Sequence, residues 1–333
     1  MGALAGITGV TGLLGANLAV ALLDAGHRVR ATRRRNSRAE HLRELGVQWV
    51  EAELGDRAAL ARAFTGCDVV FHVAALVSVR RKPSPELLAT NVSGTANVLA
   101  AIREAKVPRL VHCSTVGAVG LSEDGQPCTE DSRWNFPDHG MVDGYIETKR
   151  RAEGLVKNAA DRGLDAVIVN PTYMFGPYDA RPSSGAMIVK IARGAVPGYP
   201  SGSNNFVDVR DVARGMLLAW EKGQRGERYI LGGENLSYRE AFQRIAAVAG
   251  VKPPRLALPR AAARAFGWIG DIGERLSGRE PLINSVTIGW GFRPDFIFSS
   301  DRARRELGYT TGALEPAIRD AIAWFRAHGM LKS

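Results

Sequence analysis

Cysteine is scarce in this chain: 333 residues contain three, Cys67, Cys113 and Cys128. They form no CxxC pair and their number is odd, which argues against a disulfide framework and fits a reducing cytoplasm. Histidine is equally thin. The six histidines, at 27, 41, 72, 112, 139 and 328, show no HxxxH or HxxEH spacing, so no metal site is expected. His72 and His112 fit packed strand ends instead. Long hydrophobic runs are also missing. Only the opening "MGALAGITGVTGLLGANLAVALLDAG" imitates a signal peptide, and it lacks a positive start and places glycines where a membrane helix would carry bulky side chains. No membrane span is expected.

What is present is the composition of an ordinary globular protein, 45% hydrophobic and 23% charged. The 44 Lys and Arg against 34 Asp and Glu give a formal charge of +10, which favours acidic partners such as phosphates and nucleotides. Nucleic acid is not an expected partner. The densest basic clusters, Arg33–Arg34–Arg35 and Arg80–Arg81–Lys82, have no interleaved aromatics on which bases could stack.

From residue 3 to about 170, short β-branched runs alternate with longer helical patterns, as in a parallel sheet covered by helices. Strands are expected at 3–8, 28–32, 47–52, 68–74, 109–114 and 165–170, and helices near 13–25, 38–45, 57–64, 85–105 and 143–162. Asp56 and Ser84 stand where helix N-caps belong, the second followed by Pro85. The expected fold class is α/β, a doubly wound parallel Rossmann sheet in residues 1–176, with 206–232 returning to it. "TYMFGPYDARPSSG" reads as a loop. Residues 177–205 and 233–333 are expected to form a smaller, mostly helical substrate-binding region.

"TGVTGLLG" sets Gly9, Gly12 and Gly15 between the first strand and the first helix. Glycine suits that place because the chain turns tightly, a pyrophosphate must approach the backbone, and helix must pack on strand. Dinucleotide binding follows, with Thr11, Leu13 and Leu14 in the same turn. The end of the second strand, "RATRRRNS", lacks the carboxylate that would serve the ribose of NAD. Arg33 and Arg34 are placed to pair with the 2′-phosphate of NADP, unless they form only a solvated basic face. NADP(H) is therefore preferred, with NAD(H) as the alternative.

"YIETK" (145–149) holds Tyr145 and Lys149 four apart, on one helical face. Such a pair occurs by chance in many helices, so context decides its meaning. It opens the long helix before the sixth strand, and the fifth strand ends in "CSTVGAVG", which brings Ser114 and Thr115 to the carboxyl edge where open α/β sheets bind ligands. A free phenol, with a pKa of about 10, is a poor proton relay at neutral pH, and a neighbouring ammonium lowers that value. The Thr115 hydroxyl can hold a substrate oxygen while a proton moves.

These landmarks, together with "FHVAAL" (71–76), "TNVSGT" (90–95), "NPTYMFGP" (170–177) and "FVDVRDVA" (206–213), resemble those of the extended short-chain dehydrogenase/reductase family, in order along the whole chain. "VRATRRRNS" and the NP-x4-GP segment are most similar to the dihydroflavonol 4-reductase-like branch. The C-terminal half is similar to bacterial epimerase/dehydratase members, including hopanoid-associated sugar-epimerase-like proteins. The resemblance implies Tyr145 as acid/base, Lys149 on the nicotinamide ribose, and Thr115 as the catalytic hydroxyl ahead of Ser114. It places Ala74 and Ala75 close to the cofactor and Pro171 and Thr172 at the nicotinamide pocket. Asn91 would support the site or serve structure alone, and the helices near 85–105 and 143–162 would pair two copies into a homodimer.

Two departures stand out. Glu53, followed by Leu54, occupies the place where the family carries an adenine-contacting Asp, and Asp56 reads as a helix cap. Val116 and Gly117 follow Thr115 where the sugar dehydratases carry Asp-Glu, which argues against dehydration. The reading that results is NADPH-dependent reduction of a ketone or aldehyde on a small to medium molecule. The alternative is nucleotide-sugar epimerisation on tightly held NAD. Trp268, Trp290, Phe292 and Phe296 would line an aromatic pocket or, more in keeping with their spacing, pack in a core.

Overall fold

The computed structural model describes residues 2–37, 39–281 and 283–332. Twelve strands run along these residues: β1 (Leu4–Thr8), β2 (Arg28–Arg33), β3 (Val47–Glu51), β4 (Val69–His72), β5 (Arg109–Cys113), β6 (Ala166–Pro171), β7 (Tyr173–Phe175), β8 (Gly198–Tyr199), β9 (Ser203–Asp208), β10 (Arg228–Leu231), β11 (Glu234–Ser237) and β12 (Leu256–Ala257). Seven form one parallel sheet in the order β10-β6-β5-β4-β1-β2-β3. Every residue of β1, β4 and β6 is buried, as a parallel sheet covered on both faces requires. Helices Leu13–Asp24 and Val209–Lys222 pack on one face, and Arg57–Phe64, Gly94–Glu104 and Gly144–Asp161 on the other.

The strand order reverses between β1 and β4. A crevice opens at their carboxyl ends, the general ligand position in such sheets. The Gly9–Gly15 turn leaves β1 there, and Ala74 follows β4. All six expected strands are present.

The structure differs from the sequence reading in three places. β9 does not rejoin the main sheet; it lies between β7 and β11 in a separate three-stranded sheet, and only the helix Val209–Lys222 and β10 return. β7 lies inside the stretch read as a loop, because three residues flanked by Gly and Pro give too little periodicity to register. The helix expected near 38–45 is a single turn, Glu40–Leu42, since only Ala39 and Leu42 there are buried and Gly46 follows closely; Arg38 lies outside the described residues. Three further helices, Ala186–Ala192, Tyr238–Ala249 and Leu314–Ala327, enclose an apolar cluster of their own around Phe175, Phe206, Ile245 and Phe325.

The expected helix near 85–105 is continuous but not regular. Ser84 caps it through Leu87 N–H at 3.2 Å, and Leu88–Ser93 forms a widened π-turn before Gly94–Glu104 resumes. Asn91 sits in that turn. Its amide grips the Leu76 backbone, accepting from N–H at 2.8 Å and donating to C=O at 2.9 Å, and donates to Thr148 Oγ1 at 3.0 Å. Its side chain thus joins the loop after β4 to the helix that carries Tyr145.

Candidate active site

The three glycines of the first turn differ in why they are glycine. Gly9 has φ of 80°, and a Cβ there would lie 2.6 Å from the Ala74 backbone. A Cβ on Gly15 would collide with the Gly9 carbonyl, so helix and strand could not pack. Gly12 has an ordinary φ of −93°, and a Cβ would meet nothing closer than 3.5 Å. The protein therefore does not need glycine at 12 for itself; the open space there suits the backbone approach of a phosphate. No side chain caps the helix Leu13–Asp24, which leaves its first N–H groups for an anion. Leu13 and Leu14 are buried in the core, so only their backbone faces the crevice, while Thr11 is half-buried. These residues fit the pyrophosphate of a nicotinamide dinucleotide.

Behind the crevice, Thr8 Oγ1 meets His72 Nδ1 at 2.8 Å and accepts from Ala74 N–H at 3.3 Å; His72 Nε2 meets Thr95 Oγ1 at 3.0 Å. Burial, with the charge of Lys149 adding, depresses His72 to about 3, so the ring stays neutral. Its role is to hold β1 and β4 together. Ala75, next along, is exposed to the crevice side.

At the end of β2, Arg33, Ser37, Ala39, Glu40, Arg43 and Trp49 line a cavity of about 260 Å³. The Arg33 guanidinium lies 5.3 Å over the Trp49 ring, and Arg34 N–H donates to Ser37 Oγ at 3.2 Å. Arg34 is exposed. Ser37 and Arg43 were not singled out by the sequence. Asp56 accepts from Ala59 N–H at 2.9 Å as a helix cap, leaving exposed Glu53 as the acid of the loop that follows β3, while the Leu54 carbonyl accepts from Asn97 at 2.8 Å.

Thr115 and Tyr145 come together beyond the end of β5, and Lys149 reaches the last residue of that strand. Asp143 caps the helix Gly144–Asp161, accepting from Ile146 N–H at 2.8 Å, which fixes Tyr145 in the first turn. Lys149 is 3% exposed and donates to the Cys113 carbonyl at 2.6 Å. Burial lowers its pKa, with Cys113 and Glu153 opposing. The Tyr145 phenol is raised above its ordinary value by burial first, then by Cys113 and Asp143, while hydrogen bonding from Thr115 opposes the rise. Lys149 is not among the groups acting on that phenol; in this structure its ammonium is held by the strand.

Ser114 is committed elsewhere. Its hydroxyl donates to Glu153, which also accepts from Asn170 Nδ2 at 2.9 Å and Arg228 Nη1 at 3.2 Å. Asn170 further donates to the Thr115 carbonyl at 2.8 Å. Glu153 thus ties β5, β6 and β10 together beneath the site, and it escaped the sequence reading. The signal was present: Tyr145, Lys149 and Glu153 recur every four residues on one face. Pro171 is buried at the end of β6, and the buried Thr172 hydroxyl has no partner among the described residues. Trp290 and Phe296 pack with Tyr145, Phe292 is buried, and Trp268 is 65% exposed. Trp268 therefore belongs neither to a pocket nor to the core.

Burial lifts Asp143 to about 7, against hydrogen bonds from Ile146 and Tyr145 N–H. A carboxyl raised on folding contributes its stability below the unfolded value, 3.8, and loses it as pH rises through about 7. Asp143→Asn retains a capping side chain and removes the titration. It is expected to add about 2 kcal/mol at pH 8 and little at pH 4, measured by urea unfolding.

Comparison with known proteins agrees with this geometry. The NAD dependent epimerase/dehydratase family model matches residues 5–232. A protein of Synechocystis sp. named as a candidate dihydroflavonol 4-reductase is 36% identical over 98% of this chain and 96% of its own. A 4-hydroxy-2-methyl-3-oxo-4-farnesyl-3,4-dihydroquinoline-1-oxide ketoreductase of Stigmatella aurantiaca is 34% identical over 95% of this chain and 94% of its own. The crystal structure of a nucleoside-diphosphate-sugar epimerase from Pseudomonas aeruginosa superimposes with a TM-score of 0.83 at 31% identity, covering 99% of both chains. This chain is therefore an NAD(P)-dependent oxidoreductase and belongs to the NAD-dependent epimerase/dehydratase family, within the extended short-chain dehydrogenases/reductases and their dihydroflavonol 4-reductase-like branch.

Proposed function

We propose that the protein reduces a ketone or aldehyde on a small to medium organic molecule, with NADPH as reductant. What supports this reading is that Thr115, Tyr145 and Lys149 gather about the carboxyl end of β5, the edge of the sheet from which the Gly9–Gly15 turn also leaves β1. When bound, the nicotinamide supplies the hydride for the carbonyl carbon. Thr115 orients the carbonyl oxygen and Tyr145, whose phenol holds its proton at neutral pH, delivers that proton to the oxygen. Lys149, whose ammonium donates to the Cys113 carbonyl in this structure, would hold the nicotinamide ribose and, if turned from the strand to the phenol, would favour the phenolate that results. Glu53, Leu54, Ala74, Ala75, Pro171 and Thr172 would line the rest of the dinucleotide path. Relatives whose names describe ketone-type reductions support this reading.

Arg33 and Arg34 support NADPH over NADH. Replacing both by Ala is expected to raise the Kd for NADPH about tenfold or more and to leave NADH within about twofold, read by fluorescence titration. A Kd for NADPH that does not move would return the cofactor choice to NAD(H).

The likeness to a nucleoside-diphosphate-sugar epimerase favours a second reading, epimerisation on retained NAD. A titration with NADPH, NADH and UDP separates the two. Tight UDP binding by protein that purifies with NAD would overturn the reductase reading; exchangeable NADPH and turnover of a carbonyl panel would support it.

A further inference from the structure

Helix Arg260–Ser277 turns its acids inward and its large apolar side chains outward. Phe266, Trp268, Ile269, Ile272 and Leu276 are 69%, 65%, 65%, 55% and 85% exposed. Asp271 and Glu274 point the other way, pairing with Arg81 at 3.0 Å and Arg80 at 3.5 Å. A surface helix of a globular protein ordinarily does the reverse. Ile283 continues the apolar face, and Gly270, Gly273, Leu276, Pro281 and Ile283 line a shallow groove of about 530 Å³. Among the described residues, only Val77 and Leu256 are large hydrophobics as exposed as these. A concentration of this kind marks a surface that meets something.

The charges of the segment say what that is. Lys252, Arg255, Arg260, Arg264, Arg275 and Arg279 are exposed, and none makes an ion pair among the described residues. The acids are all turned to one loop: Asp271 and Glu274 as above, and Glu280 accepting from Val79 N–H at 2.7 Å. What faces outward is apolar side chains, one of them tryptophan, bordered by unopposed cations. A second copy of this chain would set those cations against their own kind. An anionic bilayer surface matches both features, since acyl chains take the aromatic and aliphatic groups while lipid phosphates take the arginines.

We propose that residues 256–283 form a docking face for anionic lipid bilayers, lying in the interface without crossing it. Docking would bring the active site to the membrane. Arg80 donates to the Gly278 carbonyl at 2.7 Å, and the Arg80 carbonyl accepts from Gly144 N–H at 2.8 Å, one residue before Tyr145. The docking face itself stands independently of the reductase reading.

The test is co-sedimentation of the full chain with phosphatidylcholine vesicles, with and without phosphatidylglycerol. Binding is expected with the anionic vesicles and is expected to weaken about tenfold or more in high salt, in Ile272→Ser/Leu276→Ser, and separately in Arg264→Glu/Arg275→Glu. The charge reversals alter exposed side chains only, so they carry the test if the serine variant unfolds. Wild-type protein that stays in the supernatant with anionic vesicles, or variants that bind as well as wild type, would overturn the proposal. So would a dimer, seen by light scattering, that the serine variant dissociates.

Discussion

Replacing Tyr145 by Phe is expected to lower kcat for carbonyl reduction by about 1000-fold, with the Kd for NADPH unchanged within about twofold. The substitution removes one oxygen and keeps the ring, which packs with Trp290, Met141 and Phe296. Folding stability should therefore stay within about 1 kcal/mol of wild type. Loss of turnover can then be assigned to the missing proton donor. Steady-state kinetics, a cofactor titration and a thermal melt on the same preparation check all three statements. Undiminished turnover of every accepted substrate would remove Tyr145 from the chemistry. The direction of its pKa shift adds a pH signature: burial keeps the phenol protonated through the neutral range, so reduction should be flat there while oxidation of an alcohol rises with pH.

Glu153→Leu is the second large effect, and it concerns stability. The carboxylate is 4% exposed and receives Ser114, Asn170 and Arg228, the last only partly exposed. Removing it leaves the Arg228 guanidinium with backbone carbonyls alone, the buried Ser114 hydroxyl without its acceptor and Asn170 with only the Thr115 carbonyl. The expected cost is about 3–5 kcal/mol in urea unfolding, with Glu153→Gln much milder because an amide oxygen still accepts. A cost for the leucine variant below about 1 kcal/mol would mean that the network contributes little net stability.

The contrast between these two residues shows what could be read in advance. Tyr145 announces itself by a spacing and by its place after the fifth strand. Glu153 shares that helix face, but spacing alone does not separate a carboxylate in "KRRAEG" from a solvated charge, because its partner Arg228 lies on a strand far along the chain. Local pattern carried the six Rossmann strands; in β1, β4 and β6 the apolar runs are buried on both faces and need no alternation. It failed at β7, three residues long, and at Glu40–Leu42, where Leu42 and Leu45 imitate a helical stripe. Trp268 escaped for another reason. Both readings weighed for it assumed that a large aromatic is buried, and the helix that carries it turns its acids inward to Arg80 and Arg81.

The position of β10 bears on how the chain is made. The main sheet lacks its last strand until residue 231 has left the ribosome, after β7, β8 and β9 have been synthesised. Until then β6 is a bare parallel edge with unpaired backbone groups, and Glu153 waits beneath it for its guanidinium. A nascent chain paused between residues 176 and 228 thus presents the β6 edge to strand pairing with a neighbour. A cut after residue 176 would make that hazard permanent.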